Sequence, residues 1–169
     1  FLATVRPGPA KSRPTASCIT APDLRWKRCD IKSLNLLPNI MAKHKAVAAG
    51  CYEAIFINDA GLVTEGTACS VFIVRDGILQ TAPLTANILP GITRALIIEW
   101  AGQAGVDIRE ESFTPDQMLA ADEVMITGTG SEVIGVTDIN GRTIADGRCG
   151  HITQKYQKLL ADMTHAGCS

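Results

Sequence analysis

Apolar positions along this chain come in short runs. Ala54–Ile57 and Val71–Val74 are strand-sized blocks, far below the ~18 consecutive apolar residues of a membrane-spanning helix. Tyr52–Asn58 alternates well enough for a strand, Asp59-Ala60-Gly61 reads as a turn, and Leu62–Thr64 begins a second strand that Glu65-Gly66 interrupts. Ser70–Val74 is a third strand, turned by Asp76-Gly77 into Ile78–Gln80. Helical spacing appears elsewhere. Pro38 opens a helix to about Ala49, with Gly50 as its stop. After Gly91, Ile97, Trp100, Ala101 and Ala104 share one face of a helix that Gly105 ends, and Val106–Arg109 follows as a strand. Thr114-Pro115-Asp116-Gln117 combines a cap residue, a first-turn proline and a glutamine at the third position, so a helix starts there. Val124–Thr127 is strand-like and runs into Gly128-Thr129-Gly130-Ser131. Asn140-Gly141 predicts a hairpin turn, and Ile152, Tyr156, Leu159 and Met163 a closing helix. Strands and helices without a βαβ rhythm predict an α+β protein, its mixed sheet wrapped into a barrel-like core and flanked by helices.

The first residues read differently. Phe1–Val5 is a strand-like scrap, and residues 6–23 carry Pro7, Pro9, Pro14 and Pro22, which predicts an extended connector. We therefore expect a connector over 1–23 and one domain over 24–169. Leu24–Asn35 alternates poorly and reads as a loop or short strand.

Composition narrows the function classes. Hydrophobic residues make up 46% and charged residues 20% of 169, with a net charge of −1. Lysine and arginine are scattered, so no basic face for nucleic acid or an anionic membrane is expected. The six cysteines are far apart and show neither C-x-x-C nor metal-ligand spacing. Reduced thiols, no metal and a cytoplasmic location are the expectation. His44, His151 and His165 have no evident partner and read as surface residues.

Four places can carry chemistry. Lys32, in Cys29-Asp30-Ile31-Lys32-Ser33-Leu34-Asn35, has apolar neighbours that would desolvate it and favour a Schiff-base amine, although a lone lysine is more often a surface residue beside an acid such as Asp30. Glu65 is a carboxylate at a strand break beside a permissive glycine, where an ordinary turn acid is the usual reading. Pro90-Gly91-Ile92-Thr93-Arg94 precedes a helix whose exposed N–H groups and dipole suit an anion, or it is simply a cap. Thr127–Ser131 is a Gly/Thr/Ser loop that can converge amides and hydroxyls on an anion, or is only a loop.

In order, these are an amine, a carboxylate and two phosphate-sized nests. The segment from Arg25 to Leu37, with Arg28-Cys29-Asp30-Ile31-Lys32-Ser33 at its centre, closely resembles the cofactor-lysine region of D-amino-acid transaminases. Gly50-Cys51-Tyr52-Glu53-Ala54-Ile55, Val63-Thr64-Glu65-Gly66, Gly91-Ile92-Thr93-Arg94 and Thr129-Gly130-Ser131-Glu132 follow at similar distances, so the resemblance runs from about Leu24 to Leu160. It implies the large domain of a fold-type-IV enzyme with pyridoxal 5'-phosphate on Lys32, Glu65 against the ring nitrogen, and Leu89 on a ring face. It further implies that Gly91, Ile92, Thr93, Gly128 and Thr129 surround the phosphate. The implied reaction moves an amino group between an amino acid and a 2-oxo acid in a homodimer, and the Arg-Cys-Asp-Ile-Lys-Ser wording favours D-amino acids. The family's small N-terminal domain is expected to be absent, leaving the chain inactive alone.

Branched-chain aminotransferases and aminodeoxychorismate lyases share that fold. A non-catalytic module on it would be expected to have lost Lys32 or Glu65. Two departures bear on substrate choice: Thr67, Ala68, Cys69 and Ser70 stand where the family carries asparagine or several serines, and Gly128 and Gly130 stand where it commonly has hydroxyl residues.

Overall fold

The computed structural model describes residues 13–166. The chain runs through β1 (Thr15–Pro22), α1 (Leu37–Ala48), β2 (Glu53–Ile57), β3 (Val63–Gly66), β4 (Ser70–Arg75) and β5 (Ile78–Thr81). It continues through α2 (Ile92–Glu99), α3 (Ala101–Ala104), β6 (Asp107–Glu110), α4 (Pro115–Leu119), β7 (Glu123–Gly128), β8 (Glu132–Ile139), β9 (Arg142–Thr143) and α5 (His151–Ala166). One mixed sheet has the order β3-β2-β1-β8-β7-β4-β5-β6, with β9 beside β8. Because β3 also pairs with β4, the first six strands of that order close into a ring. The expected α+β class with a barrel-like mixed sheet is what forms.

The ring separates two cores. Val71 and Ile73 of β4 and Val124 and Ile126 of β7 point inward, onto Ile55, Ile134 and Val136. Phe72, Val74 and Met125 point outward, onto Ile97, Tyr156 and Leu160 of the covering helices and onto Trp100 between α2 and α3. A strand buried on both faces reads as a continuous apolar run rather than an alternation, which accounts for Val71–Val74. A third cluster places Ala42 and Ala46 of α1 on Ala21, Ala54 and Phe56. Alanines there let the helix approach the sheet closely.

Several expectations change. The connector expected over 6–23 is corrected in its second half, because Thr15–Pro22 is β1, an interior strand parallel to both β2 and β8. Its buried positions alternate at Ala16 and Cys18, a period-2 signal overshadowed by the surrounding prolines. The earlier residues of that connector, and the strand-like Phe1–Val5, lie outside the described residues. Glu65 does not break its strand: it lies within β3, opposite Ser70. The single helix expected after Gly91 divides at Trp100 into α2 and α3. Asp76-Gly77 and Asn140-Gly141 turn as expected, with positive φ at all four residues. Thr114 and Gln117 form the reciprocal capping box of α4.

Cys18, Cys29, Cys51, Cys69 and Cys149 are free thiols. Burial, reinforced by the nearby Glu53 carboxylate, pushes the Cys18 thiol up to about 12.

Phe72 is fully buried in the outer core. Phe72→Ala should lower unfolding free energy by ~3–5 kcal/mol, the usual result of emptying a buried aromatic site. A denaturant titration with an unchanged midpoint would show that β4 is not packed on its outer face.

Candidate active site

The closing pair of the barrel defines a row of residues at one rim. Glu65 faces Ser70, Ser70 faces Thr127, and Thr127 faces Val133 across β3, β4, β7 and β8. Beside that rim opens a cavity of about 940 Å³, walled by the Arg25–Asn35 loop, by α1 and by the Glu65–Cys69 segment, with Leu89 at its edge. Lys32, Glu65 and Leu89, far apart in sequence, share its wall.

Glu65 is buried and held at both oxygens. Its Oε2 accepts from Arg25 Nη1 at 2.6 Å, and its Oε1 from the Leu89 N–H at 3.1 Å. Burial raises its pKa above the usual carboxylate range, an effect that Arg25 and the Leu89 amide only partly offset. Burial also raises the Asp23 carboxyl, but there the hydrogen bonds and charge of Arg25, with the Thr64 hydroxyl, win and bring it below its ordinary value. Arg25 moves up: its two carboxylate partners overcome the opposing effect of burial. Leu89 therefore does more than was expected of it as a packing residue, because its backbone fixes one Glu65 oxygen.

The segment after Glu65 is anchored from below. Glu53, buried at the start of β2, accepts from the Thr67 N–H at 3.3 Å and from the Thr67 hydroxyl, while Asn39 of α1 donates to the Thr67 carbonyl at 2.7 Å. Lys43 lies 3.3 Å from the other Glu53 oxygen. Burial and Glu53 together raise the Cys69 thiol well above its ordinary value. Arg25, Glu53, Asn39 and Lys43 were not anticipated. Each is an ordinary polar residue in sequence, and only its partners mark it out.

Lys32 requires a correction. It stands on the cavity wall but is exposed, as are its neighbours Ile31 and, at 97%, Leu34. Apolar sequence neighbours do not desolvate it, because Ile31 and Leu34 are themselves exposed. Nor does it lie paired with Asp30, whose carboxylate takes Arg28 at 3.0 Å instead.

The two expected anion nests flank the same rim without lining the cavity itself. Gly91 caps α2 without a side-chain cap bond, so the first-turn N–H groups at Ile92 and Thr93 are left by helix geometry without intrahelical acceptors. Gly91 is tied to the rim, since a Cβ there would sit 3.5 Å from Ser70 Oγ. Ile92 is exposed and Thr93 buried. In the second nest, Gly128 closes β7 and Thr129 is exposed. A Cβ on Gly128 would meet the Ala68 carbonyl and Ser131 Oγ, each at 3.0 Å. Thr127 Oγ1 and Ser131 Oγ are buried with no partner among the described residues. Buried hydroxyls normally find a partner: Ser131 Oγ lies at the Gly128 notch, while Thr127, next to Gly128 in β7, points to the opposite face with Ser70, and each can meet an anion's oxygen.

The chain is similar to several known proteins. The amino-transferase class IV family pattern matches residues 1–139. A D-alanine aminotransferase of Bacillus licheniformis is 49% identical over 144 residues, which is 85% of this chain and 50% of that protein. The branched-chain amino acid aminotransferase of Thermobaculum terrenum, solved in its PLP form, superposes with a TM-score of 0.84 at 28% identity, over 90% of this chain and 52% of that one. That of the archaeon Thermoproteus uzoniensis, solved with norvaline, gives 0.77 at 36% identity, over 86% and 50%. The chain thus spans about half the length of the relatives it matches.

A Cβ at Gly66 would fall far inside contact with Cys69 Sγ and 3.2 Å from Glu53 Cγ. Gly66→Ala should therefore destabilise by ~1–3 kcal/mol, the common result of overpacking. Adding Cys69→Ala should recover part of that loss in thermal melts. Equal losses in the single and double variants would mean that the Glu65–Ser70 turn is looser than described.

Proposed function

We propose a function from one premise: the chain belongs to the class IV aminotransferases. It binds pyridoxal 5'-phosphate in the rim cavity and takes part in moving an amino group between an amino acid and a 2-oxo acid. The observation that carries this is the shared wall of Lys32 and Glu65, one primary amine and one buried carboxylate in a single cavity.

The residues present fit the cofactor. Lys32 would attach its carbonyl carbon, Glu65 would face the ring nitrogen, and Leu89 would pack beside the ring. The first turn of α2 at Gly91, Ile92 and Thr93, with Gly128, Thr129 and the orphaned hydroxyls of Thr127 and Ser131, would receive the phosphate. When bound, the cofactor supplies the electron sink that makes an amino acid's α-proton removable. Lys32 Nζ, once displaced by the substrate's amine, would take that proton from the α-carbon and deliver it, as general acid, to the cofactor carbon it had held. Glu65 favours a protonated ring, and burial strengthens that preference because charges interact more strongly away from water.

D-amino acids are the favoured substrates in this reading, supported by the 49% identity to a D-alanine aminotransferase. A branched-chain substrate is the second reading, supported by the solved neighbours at 28% and 36% identity. A cytoplasmic homodimer completes the proposal. Exposed Leu34, Leu36, Ile40 and Val47 around the cavity are apolar surface that further protein would cover.

Borohydride reduction of the cofactor-loaded protein, followed by peptide mass mapping, should place the adduct on Lys32, and Lys32→Ala should lose it. An adduct on Lys27 or Lys43 would overturn the assignment. Glu65→Gln should keep cofactor binding while lowering turnover of the full-length enzyme by ~10²-fold or more, the scale of losing a preorganised charge. Turnover equal to the parent would reduce Glu65 to a structural residue. A panel of D- and L-amino acids separates the two substrate readings.

A further inference from the structure

Asp23 takes no part in the cavity wall, yet it is tied to Glu65 through one buried guanidinium. Arg25 donates Nε to Asp23 Oδ1 and Nη2 to Asp23 Oδ2, each at 2.8 Å, and Nη1 to Glu65 Oε2 at 2.6 Å. Nη2 also reaches the Asn87 carbonyl at 3.1 Å, and the guanidinium carbon stacks 4.9 Å from the centre of the Phe56 ring. Thr64 donates its hydroxyl to Asp23 Oδ2 at 2.8 Å. The side chains of Arg25, Asp23 and Glu65 are only 6%, 8% and 7% exposed. A planar fork held at this many points has one orientation.

Charge makes Asp23 matter beyond packing. One cation lies between two carboxylates, so the ionised cluster carries a net −1. With Asp23 neutral, Arg25 and Glu65 would cancel, and the cavity would face a dipole instead of a charge. With Arg25 removed, two desolvated carboxylates would meet and one would take up a proton.

We propose that Asp23 is a positioning residue of this site: through Arg25 it holds Glu65 toward the cavity and leaves the net negative charge that selects a ring bearing a protonated nitrogen. The inference rests on reading the cavity as the pyridoxal-phosphate site.

Two ligands test it by direct titration of the whole protein: pyridoxal 5'-phosphate, and its analogue with a ring C–H in place of the nitrogen. The parent protein should prefer the nitrogen ring by about tenfold or more, the scale of one unit charge acting across a few partly screened ångströms. Asp23→Asn should bring the ratio close to one while leaving affinity for the analogue unchanged, and Asp23→Glu, which keeps the charge, should retain it. A merely structural Asp23 would weaken both ligands alike, so an unchanged ratio in Asp23→Asn overturns the proposal. Asp23→Glu also covers the case in which Asp23→Asn does not fold: a ratio near one in Asp23→Glu overturns the proposal as well. Binding of neither ligand by the parent protein would sink the cavity's assignment, and the inference with it.

Discussion

Glu65 opposite Ser70 is the pairing on which the arrangement depends, because it turns a mixed sheet into a closed ring. Closure gives β3, otherwise an edge strand with unpaired N–H and C=O groups, a partner at its Glu65 end. It also brings together residues with no common segment. Ser70 carries the row across to Thr127 and sits beside Gly91, so a carboxylate, two orphaned hydroxyls and a helix start meet at one rim. The same backbone pairing that stabilises the barrel therefore builds the site.

Two buried carboxylates flank the Thr67–Cys69 turn and differ in what holds them. Glu53 is occupied by the turn itself, through the Thr67 amide and hydroxyl, with Lys43 beside it. Glu65 is held by Arg25 and the Leu89 amide and still faces the cavity. A buried charge is tolerated only when it is paired and hydrogen-bonded, and both satisfy that condition. Glu53 is then a structural anchor, while Glu65 is anchored and open on one side. Lys32 contrasts with both: it sits on an uncovered loop among exposed apolar side chains.

Much of the fold was legible because local signals were strong. Asp76-Gly77 and Asn140-Gly141 permit the positive φ that tight hairpins need, and the Thr114–Gln117 box starts α4. β1 was not legible. Its small alternating residues lie among prolines, and pairing with β2 and β8 is non-local. Glu65 looked like a break because acid and glycine are poor strand formers, yet the cross-strand partner Ser70 keeps it in β3. Of the candidate site, residue type singled out Lys32, Glu65 and the two glycine-bearing segments, and the family resemblance supplied the roles proposed for them. Arg25, Asp23 and Glu53 were not, since nothing local distinguishes a buried ion pair from a solvated one.

The sequence by itself determined the α+β class, the hairpins and the helix starts. These follow from φ preferences, capping and periodicity, which act over a few residues. Only the tertiary structure decided that Thr15–Pro22 is an interior strand, that Lys32 is exposed, and that Arg25 spends its charge between Asp23 and Glu65. Burial and charge pairing are properties of neighbours brought together across the chain. Asp23 and Glu65 lie 42 positions apart, and ring closure with chain reversal is what places one guanidinium between them.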